Sequence, residues 1–199
     1  VLTLETMPVT VMENPPDRCY HCKHYLFEQI SDYARAHQLA YVLDGTNADD
    51  LNEYRPGLQA LKDLGVKSPL AELGISKGEV RAMAASLGLQ VAHKPSSPCL
   101  ATRFPYHSPI DLGRMDGLQR IETYVKALGI PIVRARVHGD LLRLEVGRET
   151  LGKLYAHREE IIALALLEGF LYFTMDLEGF RSGSIALALT QNTPPQDNG

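Results

Sequence analysis

Ala40-Tyr41-Val42-Leu43-Asp44-Gly45-Thr46-Asn47-Ala48-Asp49-Asp50 is the stretch that sets the fold class. Its first four residues form a short apolar run of strand length, and the preceding residues 24–39 place apolar side chains at helical spacing. A helix followed by a buried strand is the order of an α/β protein. The run ends in small polar residues, as at the carboxyl end of a strand in an open parallel sheet, where ligand crevices form. Gly45 and Asn47 suit close approach of backbone to a phosphate or nucleotide, and Asp44, Asp49 and Asp50 offer carboxylates to a hydrated Mg²⁺. A plain polar turn after a strand would use the same residues without any ligand.

Moving outward, Arg55-Pro56-Gly57 and Ser68-Pro69-Leu70 punctuate a loop. Ser76-Lys77-Gly78-Glu79 then opens a helix with Ser76 as N-cap and Glu79 in the capping-box position, and Gly88 closes it. From about Phe104 the pattern changes. A helix is expected over 111–128, stopped by Gly129 and Pro131, and residues 132–137 alternate like a strand. His138-Gly139-Asp140 reads as a turn and 141–146 as the returning strand. A helix over 149–168 and a strand over 171–177 complete an αββαβ order, that of a small α+β domain. The Pro-, Gln- and Asn-rich tail 190–199 is expected to be disordered.

The 199 residues are 45% hydrophobic and 22% charged, enough for one large or two small domains with a real core. Net charge is −4 and the basic residues are scattered, so no stripe for nonspecific phosphate binding is present and nucleic acid is not expected as a partner. No segment is apolar over the length a membrane span needs. Three cysteines without a secretory signal point to a reducing, cytoplasmic setting with free thiols. The opening Val1-Leu2-Thr3-Leu4 reads as an approach to a strand rather than a natural start, so an amino-terminal piece is expected to be missing.

Those cysteines carry the chemistry. Cys19 and Cys22 form a Cys-x-x-Cys pair after the turn Asn14-Pro15-Pro16-Asp17, and Cys99 stands alone in Ser97-Pro98-Cys99-Leu100-Ala101-Thr102-Arg103. Spacing leaves three readings open. His21 and His24 help a zinc site, but no second Cys-x-x-Cys completes one. A redox pair of the thioredoxin type would follow a strand, whereas this pair leads into a helix. An iron–sulfur or sulfur-carrying site using all three thiols is the favoured reading, and the field of the helix amino terminus would favour the thiolate in each case. Arg55, Arg103, Arg134 and Arg136 are candidate phosphate clamps, because a guanidinium forks onto phosphate oxygens. Arg134 and Arg136, two residues apart, share one strand face, and Glu122 and Glu145 either neutralise or orient them. His107, His138 and His157 have no metal-ligand spacing.

In this order, Asp44–Asp50, Tyr54-Arg55-Pro56-Gly57-Leu58, Ser68-Pro69-Leu70, Lys77-Gly78-Glu79-Val80-Arg81, Pro98-Cys99-Leu100-Ala101-Thr102-Arg103-Phe104-Pro105-Tyr106, Arg134-Ala135-Arg136-Val137-His138 and Leu177-Glu178-Gly179-Phe180-Arg181-Ser182-Gly183 resemble the blocks of the LarE family. These are ATP-dependent sulfur transferases of the PP-loop superfamily that help make a nickel-pincer nucleotide cofactor. The resemblance runs from Val1 to about Ser184. It implies a partial Rossmann-like PP-loop domain over 1–103, followed by a small α+β domain over 104–189 that holds substrate and makes homo-oligomer contacts. It also implies that a carboxylate on a pyridinium mononucleotide is adenylated with ATP and Mg²⁺ and then receives sulfur.

One branch of the family takes sulfur from a single cysteine that becomes dehydroalanine. The other holds a [4Fe-4S] cluster on three cysteines, and Cys19, Cys22 and Cys99 match the second. Carried over residue by residue, Cys99 and Arg103 are catalytic. Asp44, Gly45, Asn47 and Asp49 bind the nucleotide, and Arg134, Arg136, Glu122 and Glu145 serve the substrate phosphate. Two features depart from the pattern: the Ser-Gly-Gly-x-Asp-Ser PP-loop is nowhere in these residues, and Lys153 stands where an acid is expected. A tRNA thiolase of the same superfamily and a non-catalytic zinc-binding module are the alternatives.

Overall fold

A computed structural model describes residues 1–3, 6–52, 55–94 and 98–181. Leu4, Tyr54, Ser97, Ser182, Gly183 and the tail 190–199 lie outside the described residues. The chain divides into two units, Val1–Ser97 and Pro98–Gly199, each treated separately below. The division places Cys99 and Arg103 in the second unit.

The first unit is helical. Helix α1 (Val9–Met12) leads through the Asn14-Pro15-Pro16 turn into α2 (Arg18–Ala36). Asn14 takes a left-handed conformation at φ 58°, is fully buried, and accepts a hydrogen bond from the buried Arg18. A 3₁₀ turn (Ala48–Asn52) follows, then α3 (Pro56–Asp63) and α4 (Pro69–Glu72), each with proline at its first position, where the missing N–H costs nothing. Helix α5 (Lys77–Ser86) carries the expected capping box: Ser76 Oγ accepts the Glu79 N–H and the Glu79 carboxylate accepts the Ser76 N–H. Gly88 follows the helix at φ +68°. Helices α2 and α3 pack closely at Gly57, where a Cβ would lie 2.9 Å from Lys23 Cδ and 3.3 Å from the Cys19 carbonyl oxygen.

The buried strand expected over Ala40–Leu43 is not formed. Residues 41–44 make a single parallel bridge, Leu43 to Lys67, with hydrogen bonds Asp44 N–H to Lys67 O (2.9 Å) and Lys67 N–H to Val42 O (3.0 Å). Tyr41 and Leu43 are exposed. A strand is buried by its neighbours in a sheet, and among the described residues of this unit only Lys67 pairs with the run. Val1–Thr3 likewise form no strand.

The second unit holds most of the core. After a 3₁₀ turn (Leu100–Arg103) come α6 (Leu112–Ala127), β1 (Val133–His138) and β2 (Leu141–Val146). A further 3₁₀ turn (Arg148–Thr150) leads to α7 (Leu151–Ala156), α8 (Arg158–Leu167) and β3 (Tyr172–Met175). Strand order is β1-β2-β3, with β1 and β2 antiparallel and β2 and β3 parallel. Asp111 caps α6 by accepting the Arg114 N–H, and Gly129 ends it at φ +78°. The hairpin register pairs Val133 with Val146, Ala135 with Leu144 and Val137 with Leu142, so alternation collects these apolar residues on one face. Leu118, Ile121 and Val125 of α6, one helical stripe, are fully buried. Each such aliphatic side chain contributes about 1.5–3 kcal/mol by leaving water.

The helix expected over 149–168 is broken. Residue His157 (φ −102°, ψ 22°) separates α7 from α8. Leu154 before the break and Ile161 and Ala165 after it are all buried. Among the described residues no helix is long and apolar enough to cross a membrane.

Candidate functional site

The opposite face of the β1–β2 hairpin is polar. Arg134, Arg136 and His138 of β1 lie against Glu145, Arg143 and Leu141 of β2. Arg136 is 7% exposed and Glu145 1%, and their groups meet as a fork: Nε and Nη2 donate to the two carboxylate oxygens at 2.9 Å each. Arg143 Nη2 adds a bond to Glu145 at 3.0 Å, and its Nε lies 3.8 Å from Asp176. Arg134 is half-buried, donates to the Val133 carbonyl at 2.8 Å and lies over the Phe180 ring at 5.0 Å. Burial, together with the positive charges of Arg103 and Arg136, pushes the Arg134 guanidinium below its ordinary value, against the opposing pull of Glu122 and Glu145. A guanidinium so placed gains from an anion.

A second fork sits at the outer edge of β1. Glu122, on the buried face of α6, accepts Arg103 Nε at 2.6 Å and Nη2 at 3.0 Å, and also the Ala135 N–H at 3.0 Å. Arg103 is 2% exposed. Four guanidinium groups (Arg103, Arg134, Arg136, Arg143) thus stand against three carboxylates (Glu122, Glu145, Asp176), with Lys126 at 3.9 Å from Glu122 adding a further cation. The sequence pattern grouped Arg134, Arg136, Glu122 and Glu145 but passed over Arg143. Its signal was there: Arg143 and Glu145 are two apart on β2 and share the face of Arg136.

Cys99 begins the 3₁₀ turn before Arg103 and is exposed. Its carbonyl accepts the Thr102 N–H at 3.0 Å and the Thr102 hydroxyl at 2.7 Å. Cys19 and Cys22 sit in the first two turns of α2, Cys19 exposed and Cys22 half-buried, and none of the three cysteines is in a disulfide. His21 Nε2 lies 3.2 Å from Asp17 rather than turning to the cysteines. Among the described residues no three His, Cys, Asp or Glu side chains gather at metal-holding distance. Cys19 and Cys22, one helical turn apart in the first unit, and Cys99 in the second are each thiol donors of the kind that bind iron or zinc.

The Asp44–Asp50 loop is tied up internally. Asp44 accepts from Ser68 Oγ and Thr46 Oγ1 at 2.6 Å each and from the Thr46 N–H at 3.1 Å, with Lys23 Nζ at 3.3 Å. Asn47 Oδ1 accepts the N–H groups of Asp49 and Asp50, Asp49 accepts the Lys77 N–H that opens α5, and Asp50 pairs with Arg55 at 2.9 Å. Gly45 presents an open side, with nothing within 4 Å of where a Cβ would be.

Burial pushes the Asp44 carboxyl up, but the bonds from Ser68 and Thr46 and the charge of Lys23 outweigh it and hold the group below its ordinary 3.8. A folded-state value below the unfolded one gives stability that is complete above about pH 4 and is lost as pH falls through the folded value. Asp44→Asn is therefore expected to cost about 1.5–3 kcal/mol at neutral pH, the scale of hydrogen bonds to a charged group. Urea unfolding at pH 7 and at pH 3 checks it, since the deficit should shrink at the lower pH.

No family model matches the chain. It is 43% identical over 180 residues to an uncharacterized protein of Synechocystis sp., covering 89% of this chain and 67% of that protein. It is 35% identical over 181 residues to the pyridinium-3,5-bisthiocarboxylic acid mononucleotide synthase of Lactiplantibacillus plantarum, covering 91% and 66%. An uncharacterized protein of Methanocaldococcus jannaschii is 31% identical over 172 residues, covering 86% and 67%. The chain thus spans about two thirds of the length of the curated relatives it matches.

Proposed function

The chain belongs to the LarE-like family, and we propose that the polypeptide carrying it transfers sulfur to an activated carboxylate of a pyridinium mononucleotide. The observation that carries this reading is the 35% identity to a named synthase of that product class over 91% of the chain. ATP with Mg²⁺ would convert the carboxylate to an acyl-adenylate with release of pyrophosphate. A sulfur nucleophile then attacks the acyl carbon, a C–S bond forms, and AMP leaves. A thiolate suits that step because it is far more nucleophilic than water at neutral pH.

In this reading Cys99 is the sulfur-end residue, exposed for chemistry on a turn whose backbone is fixed. Arg134 meets the substrate phosphate, supported by its partly desolvated charge, and Arg136, Glu145 and Glu122 shape the field around it. Cys19, Cys22 and Cys99 would hold a [4Fe-4S] cluster, which supplies an open iron position for an exchangeable sulfide. Asp44, Gly45, Asn47 and Asp49 form a loop whose open side at Gly45 suits the approach of a nucleotide. The Ser-Gly-Gly-x-Asp-Ser PP-loop, whose glycine-rich backbone donors would grip ATP phosphates, is not among these 199 residues.

The test is reconstitution. The natural polypeptide, purified without oxygen, is incubated with ATP, Mg²⁺, sulfide and a carboxylated pyridinium mononucleotide, and the product is weighed by mass spectrometry. Replacement of carboxylate oxygen by sulfur with stoichiometric AMP is expected, along with iron and acid-labile sulfide in the protein. Sulfur incorporated into bulk tRNA instead, or zinc without iron and no transfer, would overturn the reading.

A further inference from the structure

We propose that the two buried arginine–glutamate forks of the second unit are a clamp on the turn that carries Cys99, making Arg103, Glu122, Arg136 and Glu145 positioning residues for sulfur delivery. The inference rests on the reading that Cys99 takes part in sulfur transfer.

A continuous chain of bonds carries it. Glu122, fixed on α6 between the buried Ile121 and Val125, holds Arg103 by two bonds. The third arm of that guanidinium, Nη1, donates to Thr102 Oγ1 at 2.8 Å. Thr102 passes the constraint on: its hydroxyl and its N–H both donate to the Cys99 carbonyl. From the sheet, Glu145 holds Arg136 by two bonds, and Arg136 Nη1 donates to the Thr102 carbonyl at 2.7 Å. Thr102 is thereby gripped at its side-chain oxygen and at its carbonyl by two different buried arginines. The Cys99 backbone is bound while its side chain is exposed.

Burying an ion pair costs desolvation that its own attraction barely repays, so two of them converging on one surface turn call for a reason other than stability. Presenting a sulfur atom at one fixed position is such a reason, because reacting atoms must be held within a fraction of an ångström. The geometry also separates roles that the sequence pattern merged. Arg103 and Arg136 spend their N–H groups on Glu122, Glu145 and Thr102, and act through Thr102. Arg134 carries the burden of meeting an anion.

Thr102→Val tests the clamp with least risk to folding, since it keeps the side-chain shape and the carbonyl and removes the hydroxyl. In the natural polypeptide, amide hydrogen exchange over residues 99–104 is expected to rise at least about tenfold, because the hydroxyl's bond to the Cys99 carbonyl and the bond it accepts from Arg103 are both lost. The kcat of sulfur transfer should fall about 10- to 100-fold, the scale of an ångström misplacement, with KM for the pyridinium mononucleotide unchanged. Thr102→Ser, which restores the hydroxyl, should recover both. Arg134→Ala should instead raise KM and weaken binding of inorganic phosphate while leaving exchange at 99–104 unaltered. Unchanged exchange in Thr102→Val, or a raised KM with kcat intact, would overturn the clamp. A parent enzyme without transfer would sink the functional reading, and the exchange measurement alone would then decide the clamp.

Discussion

Cys99→Ala in the natural polypeptide is expected to bring sulfur transfer to background, a loss of at least about 10³-fold, the scale on which removing a nucleophile is felt. The reasoning holds for either sulfur source: Cys99 is the donor if the enzyme sacrifices its own thiol, and a cluster ligand if it does not. Because Cys99 is exposed, the substitution should shift the stability of the metal-free protein by no more than about 0.5 kcal/mol, so lost activity would not report a chain that fails to fold. Cys19→Ala then separates the sources. Loss of transfer together with loss of iron and acid-labile sulfide is the cluster outcome. Full transfer in Cys19→Ala, with dehydroalanine appearing at position 99, is the outcome for self-sacrifice and would end the cluster proposal. Thiocarboxylate product and metal content, measured on the same preparations, give both answers.

Local physics made much of the fold legible. Ser76 and Glu79 cap α5 because a side chain three residues into a helix can reach back to its start, a rule that needs no tertiary information. Gly88 and Gly129 end helices because each sits at positive φ, which other residues resist. The period of two on 132–137 put Arg134 and Arg136 on one face, and the hairpin obeys it. What stayed hidden depends on neighbours. The apolar run 40–43 looks like a buried strand, but burial needs flanking strands, and Leu43 finds one bridge. Arg103 beside Cys99 looked like a group aimed at substrate, yet its guanidinium is directed to Glu122, nineteen residues away on a helix, and no spacing rule links the two. Arg143 was legible by the same alternation as Arg136, and was obscured because the Leu-Leu-Arg-Leu-Glu-Val run reads first as core.

The Arg103–Glu122 fork makes its own prediction for stability, and the sign depends on what is left behind. Glu122→Ala should destabilise the chain by about 3–5 kcal/mol, because Arg103 would keep a buried charge without its carboxylate. The Ala135 N–H would lose its acceptor as well, a penalty of about 1–3 kcal/mol contained in that total. Arg103→Met combined with Glu122→Leu removes both charges and refills the volume, so the double variant should regain most of the charge penalty but not the Ala135 share. Urea unfolding, read as a shift in midpoint at constant slope, distinguishes the terms. A single-variant loss below about 1 kcal/mol would mean that water reaches Arg103 and that the fork is a surface-like pair. Such a pair would not hold Thr102 or, through it, Cys99. The pattern expected instead is a large loss in the single variant with partial recovery in the double, while sulfur transfer stays impaired in both. That combination would show that the fork is retained for the position of Cys99 even where stability alone can be restored without it.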